Sequence, residues 1–311
     1  MTDPRLNPAY LRSLFPRSPA GDDLLALGYY FSFHFPDGHR ADRRERVAAV
    51  CRNYWRRFGS HLRWMIEPPS NRWRAVEGAG DFDRWVAAFP PADWAWSLIF
   101  HSAPEQSAAA EYSLLGVGTS TEVFSYSNLY LTVGLAAFEG EAAANPIDLY
   151  RHWAEVLQPR FGSAGFGLIP PEDTPRRART APQAAAFGRQ FPGVELVDAI
   201  GNQNAFSGLL AANWLNVVDD DCVERLGGLS AVNQRLAELP GGDRIGVEPY
   251  PGGLLLQAGE SPLLNEPGQP GQVPAVYQPV ARLLRPLRTL EPWGCWGCPR
   301  GESLDWLARF D

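Results

Sequence analysis

Residues Leu27–Phe35 read LGYYFSFHF, and this alternation constrains the fold more than any other stretch. Phe31, Phe33 and Phe35 point one way, and Tyr30, Ser32 and His34 the other. A period of two is that of a β-strand, because successive side chains leave opposite faces of the pleat. An aromatic row opposite a polar row marks a half-buried strand, with one face on a core and one toward water.

The elements that follow mix helix and strand. Pro36-Asp37-Gly38 turns the chain. Asp42 with Glu45 three residues on has a capping-box pattern in carboxylate form. Val47, Val50, Cys51, Tyr54, Trp55 and Phe58 then make a helical stripe ending at Gly59. The other face of that helix carries Arg43, Arg44, Arg46, Arg52, Arg56 and Arg57, which read as a solvated basic surface. A short aromatic helix is expected over Phe82–Phe89. Trp94–His101 alternates again, and Tyr112–Phe138 reads as two strands joined near Ser125–Asn128. Asn145-Pro146 is an N-cap followed by Pro at the first helical position. The stripe Ile147, Tyr150, Trp153, Ala154, Leu157 follows, and Pro159 closes it. Gly162–Arg179 is rich in turn residues throughout and reads as loop.

A helix around Gln183–Phe191 opens the remainder. Next comes VDAIGNQNAFSGLLAANWL (Val197–Leu215), two apolar ends around the polar centre Gly201–Asn204. Asp219-Asp220-Asp221 leads into a helix over Cys222–Leu226, where three carboxylates suit the positive end of the macrodipole. Gly227-Gly228 breaks that helix, and Leu229, Val232, Leu236 and Leu239 resume a stripe. Gly246–Ala258 reads as strand, tight turn, strand. Pro274–Leu287 reads as a last long helix. Tyr150, Ala154, Val156, Leu157 and Pro159 recur at identical spacing as Tyr277, Ala281, Leu283, Leu284 and Pro286. Either two related halves or the shared period of amphipathic helices accounts for this. The expected fold is therefore α+β (mixed α/β), with a mostly antiparallel sheet and flanking amphipathic helices. Residues 1–24 form an arm, 25–165 a first half and 180–311 a second.

The net charge of −7 and pI near 5.3 argue against direct nucleic-acid binding and permit a basic partner. All 28 basic residues are Arg, so Schiff-base chemistry and a P-loop lysine are excluded. No apolar run approaches the roughly 20 residues of a membrane helix, and the first residues lack a signal-peptide core. A cytoplasmic protein without membrane contact is expected.

Motifs for chemistry are sparse. Cys295-Trp296-Gly297-Cys298 lacks the second pair of a zinc site and the strand–helix setting of a redox pair; whether its cysteines form a disulfide is open. His34, His39, His61, His101 and His152 show no metal-ligand spacing, so neither metal nor cofactor is expected. Gly116-Val117-Gly118 opens no helix and cradles no phosphate. Trp55, Trp85, Trp94, Trp96 and Trp153 fall on apolar stripes and belong to a core. Trp293 and Trp296 stand in a Gly/Pro-rich segment where a recognition anchor fits.

Four segments carry a family resemblance: Ala199–Leu215, Val247–Leu264, Pro274–Arg288 and the terminal WLARFD, Trp306–Asp311. In order and spacing they resemble the bacterial type VI secretion immunity family directed against nuclease toxins of the restriction-endonuclease-like, VRR-Nuc type. The likeness spans roughly residues 26–311, its N-terminal part being weaker. Asn265–Gln272 departs from it, standing where a Gly-Asp-Val-Asn-like loop is expected, which bears on which toxin is cognate. The resemblance implies an inhibitor without catalysis of its own, whose partner is a toxin with a basic nuclease cleft. The residues expected to touch that partner are Asn202, Gln203, Asn204, Asp219, Asp220, Asp221 and Glu224. Asn202–Asn204 equally suit a buried turn. Two rivals stand beside this reading. One is an enzyme in which His34 or His101 meets a carboxylate in a deep pocket. The other is a non-inhibitory effector adaptor.

Overall fold

The aromatic strand lies near the middle of the sheet and is buried on both faces. The computed structural model describes residues 25–67, 70–78, 80–87, 95–139, 144–198, 208–210, 212–291, 296–299 and 301–311. Its strands in chain order are β1 (Ala26–Phe35), β2 (Trp64–Glu67), β3 (Arg72–Ala75), β4 (Trp96–His101), β5 (Ser113–Gly118), β6 (Ser127–Gly134), β7 (Phe161–Ile169), β8 (Glu195–Leu196), β9 (Leu215–Asp219), β10 (Ile245–Tyr250) and β11 (Gly253–Ala258). They form one 11-stranded sheet in the order β10-β11-β9-β7-β1-β6-β5-β4-β2-β3, with β8 beside β7. Every pairing is antiparallel except β7 with β8. With helices α1 (Ala41–Phe58), α2 (Gly80–Ala87), α3 (Pro146–Leu157), α4 (Thr174–Gln190), α5 (Asp220–Arg225), α6 (Gly228–Glu238), α7 (Gln278–Leu284) and α8 (Ser303–Leu307), this is the α+β class expected.

Phe31, Phe33 and Phe35 meet α1 and α3 in the main core. The Phe31 and Trp153 rings meet edge to face at 5.2 Å. The Tyr54 hydroxyl donates to the Thr132 carbonyl at 2.7 Å, and the Trp153 indole to Asn53 at 2.9 Å, so the large amphipathic rings enter the core with their polar atoms satisfied. The opposite face of β1 was expected to be wet. Instead Tyr30 and Ser32 bond Ser163 on β7, and His34 stacks on Phe161. A polar row can be buried when the neighbouring strand supplies partners, and the alternation alone does not register that partner.

Asn145 caps α3 as its sequence predicts, accepting from the Ile147 amide at 2.9 Å. The helix leaves through Gln158 in the left-handed region (φ 48°). Its terminal carbonyls are met by the helix read as solvated: Arg43 donates to the Leu157 and Gln158 carbonyls, and Arg46 to the Gln158 side chain. Two of the six arginines of the basic face thus serve a helix C-terminus, where cations are favourable. Arg44 is buried and donates to the His39 carbonyl. Arg52, Arg56 and Arg57 are exposed. Asp42 does not cap α1; Arg40 holds the N-cap position and pairs with Asp42 instead.

The largest departure is at 162–179. This segment is no loop: it holds most of β7 and the start of α4. The glycines of β7 are there because backbones and side chains close in on them. A Cβ on Gly162 would lie 2.3 Å from the Ser32 carbonyl oxygen, and one on Gly165 2.3 Å from Asn213 Oδ1. Helix α4 starts at the cap Asp173, with Pro175 in its first turn, well ahead of the expected Gln183. The long helix expected over 274–287 is three short pieces, two 3-10 turns around α7, with Pro279 and Pro286 each at the start of a new piece.

Candidate functional site

Of the residues expected to meet a partner, Asn202, Gln203 and Asn204 lie outside the described residues. The end of Val197–Leu215 is held by hydrogen bonds. Asn213 and Asn216 lock onto each other, with the Asn213 amide donating to Asn216 Oδ1 at 2.9 Å and Asn216 Nδ2 to the Asn213 carbonyl at 2.7 Å. Both are fully buried, and Asn213 Oδ1 also accepts from the Trp214 amide. Gly165 leaves the space that Asn213 fills.

Asp219, Asp220, Asp221 and Glu224 come together where β9 runs into α5. Asp219 is the cap of α5: its Oδ1 accepts from the Cys222 amide at 2.9 Å, and its Oδ2 pairs with Arg160 at 2.9 Å. Asp221 shares the same guanidinium at 2.7 Å. Asp220, Asp221 and Glu224 are exposed, and Asp219 only partly so. Asp219 is therefore a poor probe of function. Asp219→Ala should destabilise the fold by about 1–2 kcal/mol through the lost cap. Urea unfolding checks this, and an unchanged midpoint would contradict the capping role.

The two histidines of the enzyme reading are placed differently from what that reading requires. His34 is fully buried, and desolvation holds its pKa down to about 3. Its Nε2 lies 3.4 Å from the Tyr130 hydroxyl. It lines a cavity of about 20 Å³ with Tyr30, Ser32, Ser163 and Glu195, which is room for about one water and not for a substrate. The Glu195 carboxylate is engaged by Arg309 at 3.0 Å. His101 packs against Trp73, accepts from the Ala103 amide, and is held down to about 4 by burial. Among the described residues neither histidine hydrogen-bonds a carboxylate, and no His/Cys/Asp/Glu group could hold a metal ion.

Trp296, where a recognition anchor was expected to fit, is buried. Its amide donates to Asp198 at 2.7 Å and its indole to the Arg177 carbonyl at 3.0 Å. Arg177 in turn pairs with Asp198, so a buried charged pair holds Trp296. Trp94, Trp293 and Cys295 lie outside the described residues, and with Cys295 the question of a Cys295–Cys298 pair. The divergent loop Asn265–Gln272 closes on itself: the Glu266 amide donates to the Gln272 carbonyl and the Glu266 carboxylate accepts from the Ala275 amide.

Comparison with known families places this arrangement. Residues 46–310 match the TsiV family, type VI immunity for VRR-NUC. The chain belongs to this family. It is an immunity protein of the type VI secretion system, and its family is directed at VRR-Nuc nuclease toxins. The fold of the immunity protein is similar to a solved Pseudomonas aeruginosa T6SS protein, PA0821, with a TM-score of 0.81 and 20% identity over 97% of this chain and 89% of that one. Comparison with curated proteins finds no match. Among the described residues no helix is long and apolar enough to cross a membrane.

Proposed function

We propose that the immunity protein neutralises its toxin by lying over the DNA-binding cleft of the VRR-Nuc domain, in the cytoplasm and without a catalytic step, metal or cofactor of its own. A nuclease binds a polyanion, and most of that affinity comes from cationic side chains along its cleft. The observation that carries the proposal is the exposed carboxylate group Asp220, Asp221 and Glu224 on α5, a short helix fixed to the sheet by the Asp219 cap and Arg160. Asn202, Gln203 and Asn204 are proposed contacts of the same interface. Occlusion of this kind requires at least about 1,000 Å² of buried surface, and the charges act mainly on the association rate and on the choice of partner.

Titrating the purified protein into a plasmid-cleavage assay with the VRR-Nuc toxin tests this. Cleavage should stop near one equivalent. Tight binding with cleavage unchanged would instead identify an adaptor, and the occlusion reading would fail.

A further inference from the structure

At the end of the sheet where α5 begins, the loop between β5 and β6 (residues 119–126) holds an apolar side chain out from the surface. We infer that this loop is the apolar anchor of the toxin-binding surface, with Val123 packing into the VRR-Nuc domain beside the cationic cleft that the carboxylates of α5 face. This inference rests on the occlusion reading and adds the contact that holds the two surfaces together.

Strand register puts the loop and α5 at the same end of the sheet. Phe35 at the end of β1 pairs with Ser127 at the start of β6, His34 with Phe161, and Phe161 with Val218, the residue before the Asp219 cap. Tyr126 closes the gap between them. Its ring meets Phe161 edge to face at 4.9 Å, and with Arg160, Cys222 and Arg225 it lines one small cleft between the loop and α5. Val123 is three residues from Tyr126, at most about 11 Å along the chain. A stable interface covers about 800 Å² on each partner, a patch about 30 Å across. One footprint therefore takes in Val123 and the exposed acids of α5 together.

Val123 is 66% exposed, and Phe124 and Tyr126 beside it are half-buried. A single exposed valine is ordinary, but this one sits on a fastened frame. Asp37 Oδ1 accepts from the Thr121 amide at 3.1 Å and from the Thr121 hydroxyl at 3.0 Å. The Ser127 hydroxyl accepts from the Thr119 and Gly38 amides, both at 3.0 Å, which ties the base of the loop to the turn after β1. Inside the loop the Ser120 carbonyl accepts from the Val123 and Phe124 amides at 3.0 and 3.1 Å. Binding by a loose loop loses free energy to ordering, and a loop fixed beforehand is spared that loss. Charge decides what the loop meets. Glu122 and Asp220 are exposed and pair with no cation among the described residues, and Asp221 and Glu224 are exposed as well. An apolar centre with an acidic rim excludes water from the contact and selects a cationic surface. A cleft that holds a polyanion is such a surface, whereas a second copy of this chain would set like charges against each other.

The experiment uses the full chain and a catalytically inactive VRR-Nuc domain, with binding measured by calorimetry and DNA displacement measured separately. Val123→Arg should weaken binding by about 100-fold or more, since it removes the apolar contact and sets a cation against a cationic surface. Leu304→Arg, the same kind of change at an exposed position on α8, should stay within about threefold of the parent. Val123→Ser should lose about tenfold, by the same ratio at low and at high salt, because an apolar contact is not screened. Asp37→Ala, which frees the loop, should lose about tenfold as well. Asp37→Asn should return binding to within about threefold of the parent, because asparagine keeps the acceptor and tolerates the left-handed backbone there (φ 52°). Circular dichroism confirms that each variant is folded. Binding by Val123→Arg within about threefold of the parent overturns the anchor, and so does equal weakening by Leu304→Arg, which would reduce the effect to bulk charge. If the parent binds the toxin but leaves DNA in place, the occlusion reading fails, and the anchor stands or falls on the binding data.

Discussion

Gly162→Val should leave little folded protein at 25 °C. The new Cβ would fall 2.3 Å from a backbone oxygen of β1 and 2.8 Å from the Tyr150 hydroxyl, in the strand that joins β1 to β9. Backbone cannot swing away as a side chain can, so the strands must part. We expect a loss of about 4 kcal/mol or more, a large part of the roughly 5–15 kcal/mol that holds a domain together. Expression yield and the urea midpoint are the readouts; a variant within about 1 kcal/mol of the parent would contradict the close approach.

The same glycine explains why β7 was invisible in the sequence. FGSAGFGLI has no alternation of large and small polar residues, and a run of glycines reads by default as turn. The glycines report what approaches them, Ser32 and Asn213, and both come from distant parts of the chain. Features with local causes were legible: the Asn145 cap, the α1 stripe, the alternating strand within Trp94–His101, and the break at Gly227-Gly228, both with positive φ. The acidic start of α5 was legible too, as was the family. Contributions that needed a partner across the fold were not. Asp219 reads as surface charge until Arg160 and the Cys222 amide are beside it. Trp296 reads as a recognition anchor until its amide is found bonded to Asp198.

The second large effect is acid sensitivity at His34. Its pKa falls from 6.5 to about 3 on folding because burial disfavours the imidazolium. Above pH 6.5 both folded and unfolded states carry it neutral, and its contribution is complete. As pH falls from 6.5 toward 3, only the unfolded chain takes up the proton, and stability is lost at about 1.4 kcal/mol per pH unit. Glu172 acts in the opposite sense. Burial raises its pKa to about 7, so its contribution is present below its unfolded pKa and lost as pH rises toward 7. His101, lowered to about 4, adds to the His34 trend. The clean readout is therefore the difference between His34→Phe and the parent. The two should be within about 1 kcal/mol at pH 7.5, and the variant should be ahead by about 2–3 kcal/mol at pH 4.5. An equal pH dependence in both proteins would mean that His34 is protonated in the folded state.

The claim on which the rest depends is that the immunity protein occupies the cleft where the toxin binds DNA. Fluorescently labelled duplex DNA bound to a catalytically inactive VRR-Nuc domain reports this directly by anisotropy as the immunity protein is added. Full displacement at one equivalent, with an apparent affinity that falls as DNA concentration rises, is the predicted result. A ternary complex, in which the toxin holds DNA and the immunity protein together, would contradict it.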